Sequence, residues 1–188
     1  MRALVIYWSG TGNTEKVASA ISKSLNNANV EAKLVTVKDA ESVDLLQYDL
    51  VFIGSPSYEF LPPKPMIDFV KQRMKFHRRR GDIKVKSPKL VGKTAVVFCT
   101  YSGPHTGINE ALPAGKYLGQ FLEHLGFDVA DEWYVVGEFH GNLKFSTEGM
   151  LGDIRGRPNK EDLEIVDDKV HKLVDNYLTK EYFLPEEN

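Results

Sequence analysis

Short apolar runs alternate along this chain with segments whose apolar residues recur every three or four positions. The runs predict buried strands, and the three- and four-residue repeats predict amphipathic helices. The first apolar run is Ala3 to Trp8. A polar loop follows it, and then a helical pattern carrying Val17, Ile21 and Leu25. Further strands are predicted at residues 31–37, 48–53, 94–99 and 129–136, followed by helical patterns at residues 40–46, 66–74, 118–125 and 163–178.

This alternation of apolar strands and helices predicts an α/β fold. Strands that are apolar on both faces are typical of a parallel sheet covered by helices on both sides. Five strands fit a doubly wound sheet of order 2-1-3-4-5, in which ligands bind beyond the carboxyl ends of the strands. Polar loops containing glycine leave three strands at that edge, at residues 9–14, 54–60 and 100–107. We therefore expect these loops to form a ligand site.

The first loop has the chemistry of a phosphate site. Its sequence is Ser9-Gly10-Thr11-Gly12-Asn13-Thr14, directly before a helix. The first N–H groups of a helix lack partners within it, and together with the helix dipole they favour an anion. Glycines allow close approach of the backbone, and the other four side chains add neutral donors. A loop that only caps the helix needs one such side chain, so we favour the phosphate site.

Two better-known phosphate motifs fit this chain less well. The dinucleotide fingerprint G-x-G-x-x-G begins at Gly10 and Gly12, but Glu15 occupies its third glycine position. The triplet Gly92-Lys93-Thr94 matches the end of a nucleotide-triphosphate loop, but it leads into a strand rather than out of one. Neither motif explains the first loop.

The first loop resembles the flavodoxin phosphate loop, [TS]-x-[TS]-G-x-T, which Ser9, Thr11, Gly12 and Thr14 match. The resemblance implies a flavodoxin-like fold that binds flavin mononucleotide (FMN), with residues 1–188 forming a single domain. Receiver domains share this fold, but they need an aspartate at the end of strand 3, where this chain has Gly54-Ser55.

The same resemblance assigns the other two loops to the flavin ring. Tyr58 would stack on or cover the ring, and the third loop is similar to that of flavodoxin-like NAD(P)H:quinone reductases. His105 is the best-placed group there for proton delivery, although an exposed loop histidine explains it equally well. The expected FMN-binding residues are Ser9, Gly10, Thr11, Gly12, Asn13, Thr14, Ser55, Pro56, Ser57, Tyr58, Thr100, Tyr101, Ser102 and Gly103. No catalytic side chain is required, because the flavin does the chemistry.

Composition adds a few limits to this interpretation. The net charge of −2 gives no reason to expect nucleic-acid binding. One cysteine, Cys99, excludes an internal disulfide and a cysteine-rich metal site, and we expect it to be a core residue. We expect no signal peptide and no membrane span, and therefore a cytoplasmic protein.

Two stretches depart from a minimal flavodoxin. Residues 138–158 form a long loop that could cover the flavin or line a substrate pocket. A basic insertion near residues 75–92 lies in a basic segment, residues 71–93, which is either a solvated helix end with a loop or a docking patch for an acidic partner or nicotinamide phosphates. The segment has one acid, Asp82, against Lys71, Arg73, Lys75, Arg78, Arg79, Arg80, Lys84, Lys86, Lys89 and Lys93.

Three functions remain open at this point. The first is an electron carrier between protein partners, which the phosphate loop favours. The second is an NAD(P)H-dependent quinone or flavin reductase, dimeric or tetrameric as that family tends to be. The two departures favour this second function, as does the lack of the glycine that short flavodoxins often carry after the position of Gly54. The third is an interaction module without flavin, against which the first loop argues.

Overall fold

The computed structural model describes residues 1–182, in which five strands alternate with helices. The strands are β1 (Arg2–Tyr7), β2 (Glu31–Thr36), β3 (Leu50–Pro56), β4 (Thr94–Tyr101) and β5 (Asp128–Val136). The helices are α1 (Asn13–Asn27), α2 (Lys64–Arg80), α3 (Leu112–His124), the short α4 (Leu143–Thr147) and α5 (Lys160–Tyr182). Within this described part, no helix combines the length and the apolar character that crossing a membrane requires.

The five strands form one parallel sheet of order β2-β1-β3-β4-β5, as the pattern predicted. One apolar core lies between the sheet and helices α2 and α3, and a second lies between the sheet and helices α1 and α5. Cys99 is fully buried in the first core, as expected, and burial raises the pKa of its thiol. The central strands β1, β3 and β4 are covered on both faces, which explains their continuous apolar runs.

Two connections differ from the sequence-based expectations. Residues 40–46 are not a helix, because local side-chain bonds replace a helical ladder: Thr36 and Asp39 pair, and the Asp44 carboxylate accepts from the Leu46 N–H at 3.1 Å. A short 3₁₀ helix, Leu45–Gln47, follows instead. The long segment 138–158 contains helix α4, which the sequence pattern did not indicate.

Part of the basic segment serves the fold rather than the surface. Arg73 is buried on the inner side of helix α2, and its guanidinium donates to the backbone carbonyls of Glu41 and Val43. Its guanidinium also lies 4.3 Å from the ring centre of Phe76. Arg73 therefore holds the connection between β2 and β3 against helix α2.

Two further basic residues of helix α2, Arg80 and His77, form a cluster with the carboxylates that they contact. Arg80 binds the carboxylates of Asp44 and Asp82, and the bond from Arg80 is the main cause that lowers the pKa of Asp44. His77 is fully buried, with its Nδ1 atom 2.7 Å from an Asp82 oxygen. Its Nε2 atom is buried without a hydrogen-bond partner in the described chain. Burial lowers the pKa of His77, so folding favours the neutral imidazole.

This cluster makes stability depend on pH. In the unfolded chain His77 takes up a proton below about pH 6.5, whereas the folded chain resists it, so acid favours unfolding. We expect wild type to lose more free energy of unfolding between about pH 7 and about pH 5 than His77→Gln, which cannot titrate. Urea unfolding at both pH values measures this difference. Equal losses in the two proteins would show that His77 does not contribute to acid sensitivity.

Candidate cofactor site

A cleft of about 770 Å³ lies at the carboxyl edge of the sheet, within the usual size range of small-molecule sites. The loops after β1, β3 and β4 form three of its walls, as the doubly wound order predicts. The start of the 138–158 segment forms the fourth. The predicted loops therefore meet in space.

The first loop presents a row of free backbone donors at the start of helix α1. The Gly12 N–H donates to the Ser9 hydroxyl oxygen at 3.1 Å, and the Lys16 N–H begins the helical ladder by donating to the Gly12 carbonyl. The N–H groups of Gly10, Thr11, Asn13, Thr14 and Glu15 have no acceptor in the described chain. Asn13 and Thr14 are nevertheless buried, so these N–H groups need an acceptor from outside the protein.

Side chains of the first loop also tie it to its neighbours. The hydroxyl groups of Thr14 and Thr100 are 2.7 Å apart and buried, which joins the first loop to the end of β4. The Asn13 amide donates to the Glu138 carbonyl at 2.9 Å, which joins it to the long segment. Gly12 has a φ of +92° as the N-cap of helix α1, a conformation that favours glycine. These contacts fix the shape of the loop.

The second loop is divided between the cleft and the core. Pro56, Ser57 and Tyr58 line the cleft, and the Ser57 hydroxyl donates to the Glu110 carbonyl at 2.5 Å. Ser55, which we expected to bind the cofactor, is fully buried and does not line the cleft. Its hydroxyl donates to the Pro56 carbonyl at 2.8 Å.

Tyr58 lies across the mouth of the first loop. Its ring meets Trp8 edge-on, with ring centres 5.8 Å apart, and a Cβ atom on Gly10 would come within 2.7 Å of its hydroxyl. Burial raises the pKa of Tyr58, and of Tyr101 across the cleft, so both phenols remain neutral near pH 7. The aromatic rings therefore contribute apolar surface without charge.

A tight turn follows Tyr58. The N–H and carbonyl groups of Tyr58 and Leu61 bond to each other in both directions, at 2.9 and 3.1 Å. Between them Glu59 and Phe60 have φ values of +49° and +72°. Positive φ at both central positions defines a type I′ turn, for which Asn and Gly are the favoured residues. This turn lies in the loop after Gly54, where this chain lacks the glycine that short flavodoxins often carry.

The third loop presents two free donors and closes on itself. The N–H groups of Ser102 and Gly103 have no acceptor in the described chain. Gly103 has a φ of +52°, and a Cβ atom there would lie 2.5 Å from the Gly107 carbonyl oxygen, so no other residue fits. The Glu110 carboxylate accepts from the N–H groups of His105 and Thr106, at 2.8 and 2.6 Å. Glu110 therefore fixes this loop.

An aromatic wall packs against the third loop at one side of the cleft. Phe145 of helix α4 packs edge-on against His105 and Phe139, with ring centres 5.4 and 5.2 Å apart. The Ser146 hydroxyl is buried and bonds both backbone groups of Phe139. His105 is exposed at the rim, where it can meet a substrate, and nothing in its surroundings marks it as catalytic.

Most of the predicted residues are brought together here. Twelve line the cleft, namely Ser9, Gly10, Thr11, Asn13, Thr14, Pro56, Ser57, Tyr58, Thr100, Tyr101, Ser102 and Gly103. Gly12 shapes the first loop from outside the lining, and Ser55 lies in the core. From the sequence, Phe139 and Phe145 of the long loop were expected to cover the flavin or line a substrate pocket, and both line the cleft. Sequence reasoning did not assign Phe60 and Glu110 to the cleft.

The cleft suits FMN by the chemistry of its donors. At one end a row of uncharged N–H groups at a helix N-terminus matches a phosphate. At the other end two free N–H groups lie between aromatic side chains, which matches the polar edge of a flat ring. In the described chain no group of three or more His, Cys, Asp or Glu residues could hold a metal ion.

Comparisons with known proteins agree with this geometry. The family model described as Flavodoxin matches residues 5–164. The chain is 31% identical over 121 residues to a flavodoxin of Clostridium beijerinckii, covering 64% of this chain and 73% of that protein. It is 23% identical to an NAD(P)H dehydrogenase (quinone) of Archaeoglobus fulgidus, covering 87% and 91%. Among solved structures, oxidised Flavodoxin 1 of Bacillus cereus matches with a TM-score of 0.64 and 21% identity, covering 93% and 98%.

The turn after Tyr58 yields a stability prediction. Because Phe60 is held at positive φ, Phe60→Gly should be more stable than Phe60→Ala by about 0.5–1 kcal/mol in urea unfolding. Both variants lose the same exposed ring, so their difference reports the backbone alone. The control pair is Val85→Gly and Val85→Ala at an exposed residue without positive φ, where alanine should be the more stable. The same order at both positions would contradict a strained turn.

Proposed function

The chain belongs to the flavodoxin family and is an FMN-binding electron-transfer protein; from that premise we propose that it holds FMN in the cleft at the carboxyl edge of the sheet and carries electrons between protein partners. The observation that carries the proposal is the set of five N–H groups, at Gly10, Thr11, Asn13, Thr14 and Glu15, that have no acceptor in the described chain. A flavin without its phosphate would leave the N–H groups of the buried residues Asn13 and Thr14 unmet.

The phosphate end of the proposed site depends on the first loop. The backbone N–H groups of Thr11, Asn13 and Thr14 would hold the phosphate oxygens, with the Thr11 hydroxyl as a further donor. The Thr14 hydroxyl can donate to the phosphate while it accepts from Thr100, which lies 2.7 Å away. No Lys or Arg lies in this loop, so the helix dipole and hydrogen bonds provide the attraction.

The ring end of the proposed site depends on the second and third loops. Tyr58 and Tyr101 would provide apolar contacts to the ring, and the N–H groups of Ser102 and Gly103 would donate to its polar edge. Such donors stabilise negative charge on that edge. Bound FMN supplies the redox chemistry, and the protein sets how readily electrons enter and leave.

An electron carrier works with a separate redox partner. The family is one of electron carriers, and none of the described cleft side chains forms a nucleophile–base pair, so the side chains are suited to binding and orientation. We place the protein in the cytoplasm, as is general for this family. We also propose that residues 1–188 form one flavodoxin-like domain, in which residues 81–93 and 137–159 are its longer connections.

A reductase is the second candidate, and the aromatic wall favours it. Phe139 and Phe145 of the 138–158 segment border the cleft beside His105 of the third loop. A flat quinone or nicotinamide ring could stack there. The Archaeoglobus protein, named as a quinone dehydrogenase, matches along most of this chain, which gives the same candidate independent support.

The phosphate loop is tested by comparing two ligands. In Thr11→Ala/Thr14→Ala, each of two lost bonds to a charged phosphate costs about 1.5–3 kcal/mol, so FMN affinity should fall by at least about a hundredfold. Riboflavin lacks the phosphate, and its affinity should not change. Fluorescence titration of the flavin-free protein measures both, with Ser42→Ala, an exposed hydroxyl outside the cleft, as the control. Equal losses for both ligands would contradict the assigned phosphate site.

Reduction without oxygen separates the carrier from the reductase. For a carrier, we expect the visible flavin spectrum to persist when NADPH or NADH is added and to bleach with dithionite. Rapid bleaching by NAD(P)H, followed by reoxidation when a quinone is added, would instead establish the reductase. A protein that takes up no FMN would contradict both functions.

A further inference from the structure

Six basic residues of helix α2 fall into two sets that face opposite ways. Arg73, His77 and Arg80 are spaced by four and three residues and bind the connection before β3 or Asp82. Lys71, Lys75 and Arg78 repeat the same spacing two residues earlier, which places them about 200° around the helix. We name these last three residues the α2 basic strip.

The α2 basic strip is exposed and carries uncompensated charge. Lys71, Lys75 and Arg78 are all solvent-exposed, and none of their side chains makes a hydrogen bond or an ion pair with any described residue. At 1.5 Å per residue the strip is about 10 Å long, with its charges roughly one helical turn apart. Three like charges in a row repel each other, so a ligand of opposite charge would stabilise them.

The strip lines one side of a groove of about 1190 Å³ between helices α2 and α3 and strand β5. The carboxylates on the other side already have partners: Glu132 binds Lys116 and Tyr134, and Asp131 binds the Trp133 indole N–H at 2.6 Å. The α2 side therefore presents free positive charge, whereas the acids opposite are engaged within the protein.

The groove reaches the cofactor cleft at the turn after Tyr58. Leu61 lines the groove, and its neighbour Phe60 lines the cleft. Both are exposed, by 46% and 56%, and Met150 on the far side of the third loop is exposed by 67%. The Met150 N–H donates to the Pro104 carbonyl, which fixes this side chain beside the cleft loops. We call Phe60, Leu61 and Met150 the apolar rim, and Leu61 also lines the groove that the α2 basic strip borders.

We propose that the α2 basic strip and this apolar rim form the docking surface for an acidic redox protein. The inference builds on the proposed function, since it names the class of partner that receives or supplies the electrons. An apolar centre with charges at the rim is the usual anatomy of such an interface, and complementary charges accelerate encounter. The partner's carboxylates would lie along helix α2, with its redox centre over the cleft mouth.

The shape of the strip distinguishes this partner from the phosphates of a nicotinamide nucleotide. A phosphate needs donors that converge on one point, as in the first loop, whereas the strip spreads its charges along a helix. A second copy of this chain that met the groove with its own groove would offer Glu132 and Asp131, which are already paired. A surface of spaced carboxylates on another protein matches the strip best.

The test uses the FMN-loaded full chain and a strongly acidic b-type cytochrome as the probe. Titration calorimetry at low ionic strength gives the affinity of the oxidised proteins. Stopped-flow mixing of the dithionite-reduced chain with the ferric cytochrome follows the haem band, each ferric haem taking up one electron to become ferrous. In Lys71→Glu/Lys75→Glu/Arg78→Glu both the affinity and the rate should fall at least about tenfold. For wild type we expect the affinity and the rate to decrease when salt is added, and in the variant this decrease should disappear.

A matched variant separates docking from net charge. Lys23→Glu/Lys33→Glu/Lys172→Glu makes the same change of −6 at exposed residues of α1, β2 and α5, away from the groove. Its affinity and rate should change by less than about threefold. Equal effects of the two triple variants would overturn the docking surface. So would unchanged affinity and rate in the strip variant while FMN remains bound, an outcome that leaves the proposed function intact.

The other occupants give distinct results, and each would overturn the proposal. If the strip binds nicotinamide phosphates, the strip variant will raise the KM for NADPH and leave the affinity for the cytochrome unchanged. If the strip joins two copies of this chain, sedimentation will show a dimer in wild type and a monomer in the strip variant. If the chain takes up no FMN, the proposed function is contradicted. The affinity measured by calorimetry still tests the docking surface independently of the flavin.

Discussion

The need to satisfy the first N–H groups of helix α1 governs the carboxyl edge of this protein. Helix α1 begins six residues after strand β1 ends, and the residues Asn13 and Thr14 of its first turn are buried. Other loops are joined to this helix end: Thr14 meets Thr100, Asn13 holds Glu138, and Trp8 supports Tyr58. The N-terminal end of helix α1 is thus the common reference for the loops that follow three other strands.

The sequence predicted the parts of this arrangement that depend on chain order and local chemistry. Apolar runs identified the strands, and the polar loops after β1, β3 and β4 were correctly expected to meet, because parallel strands end at one edge. The sequence pattern did not predict features that depend on packing between distant parts of the chain. Ser55 and Ser57 look alike in sequence, yet β3 ends so that one faces the core and the other the cleft. Helix α4 has five residues, too few to show a period.

Helix α2 shows how one helical period can serve two purposes. A run of basic residues reads as a single patch in the sequence, but the geometry divides it into two sets. Arg73, His77 and Arg80 bind carbonyls and carboxylates, whereas the side chains of the α2 basic strip bind nothing within the described chain. Arg73 and His77 on the inner face tolerate burial because Glu41, Val43 and Asp82 accept their bonds.

The hydrogen bond from Asn13 to the Glu138 carbonyl has a thermodynamic consequence. It connects the helix end that receives the anion to the long segment, which is itself closed by bonds from Gly156 to the Glu138 carboxylate and from Ile154 to Ser146. An anion that orders the first loop therefore also favours one arrangement of this segment. Such coupling is reciprocal, so any molecule that holds residues 138–158 in place raises the affinity of the first loop for its ligand by the same factor. The segment thereby makes flavin retention responsive to whatever docks over it.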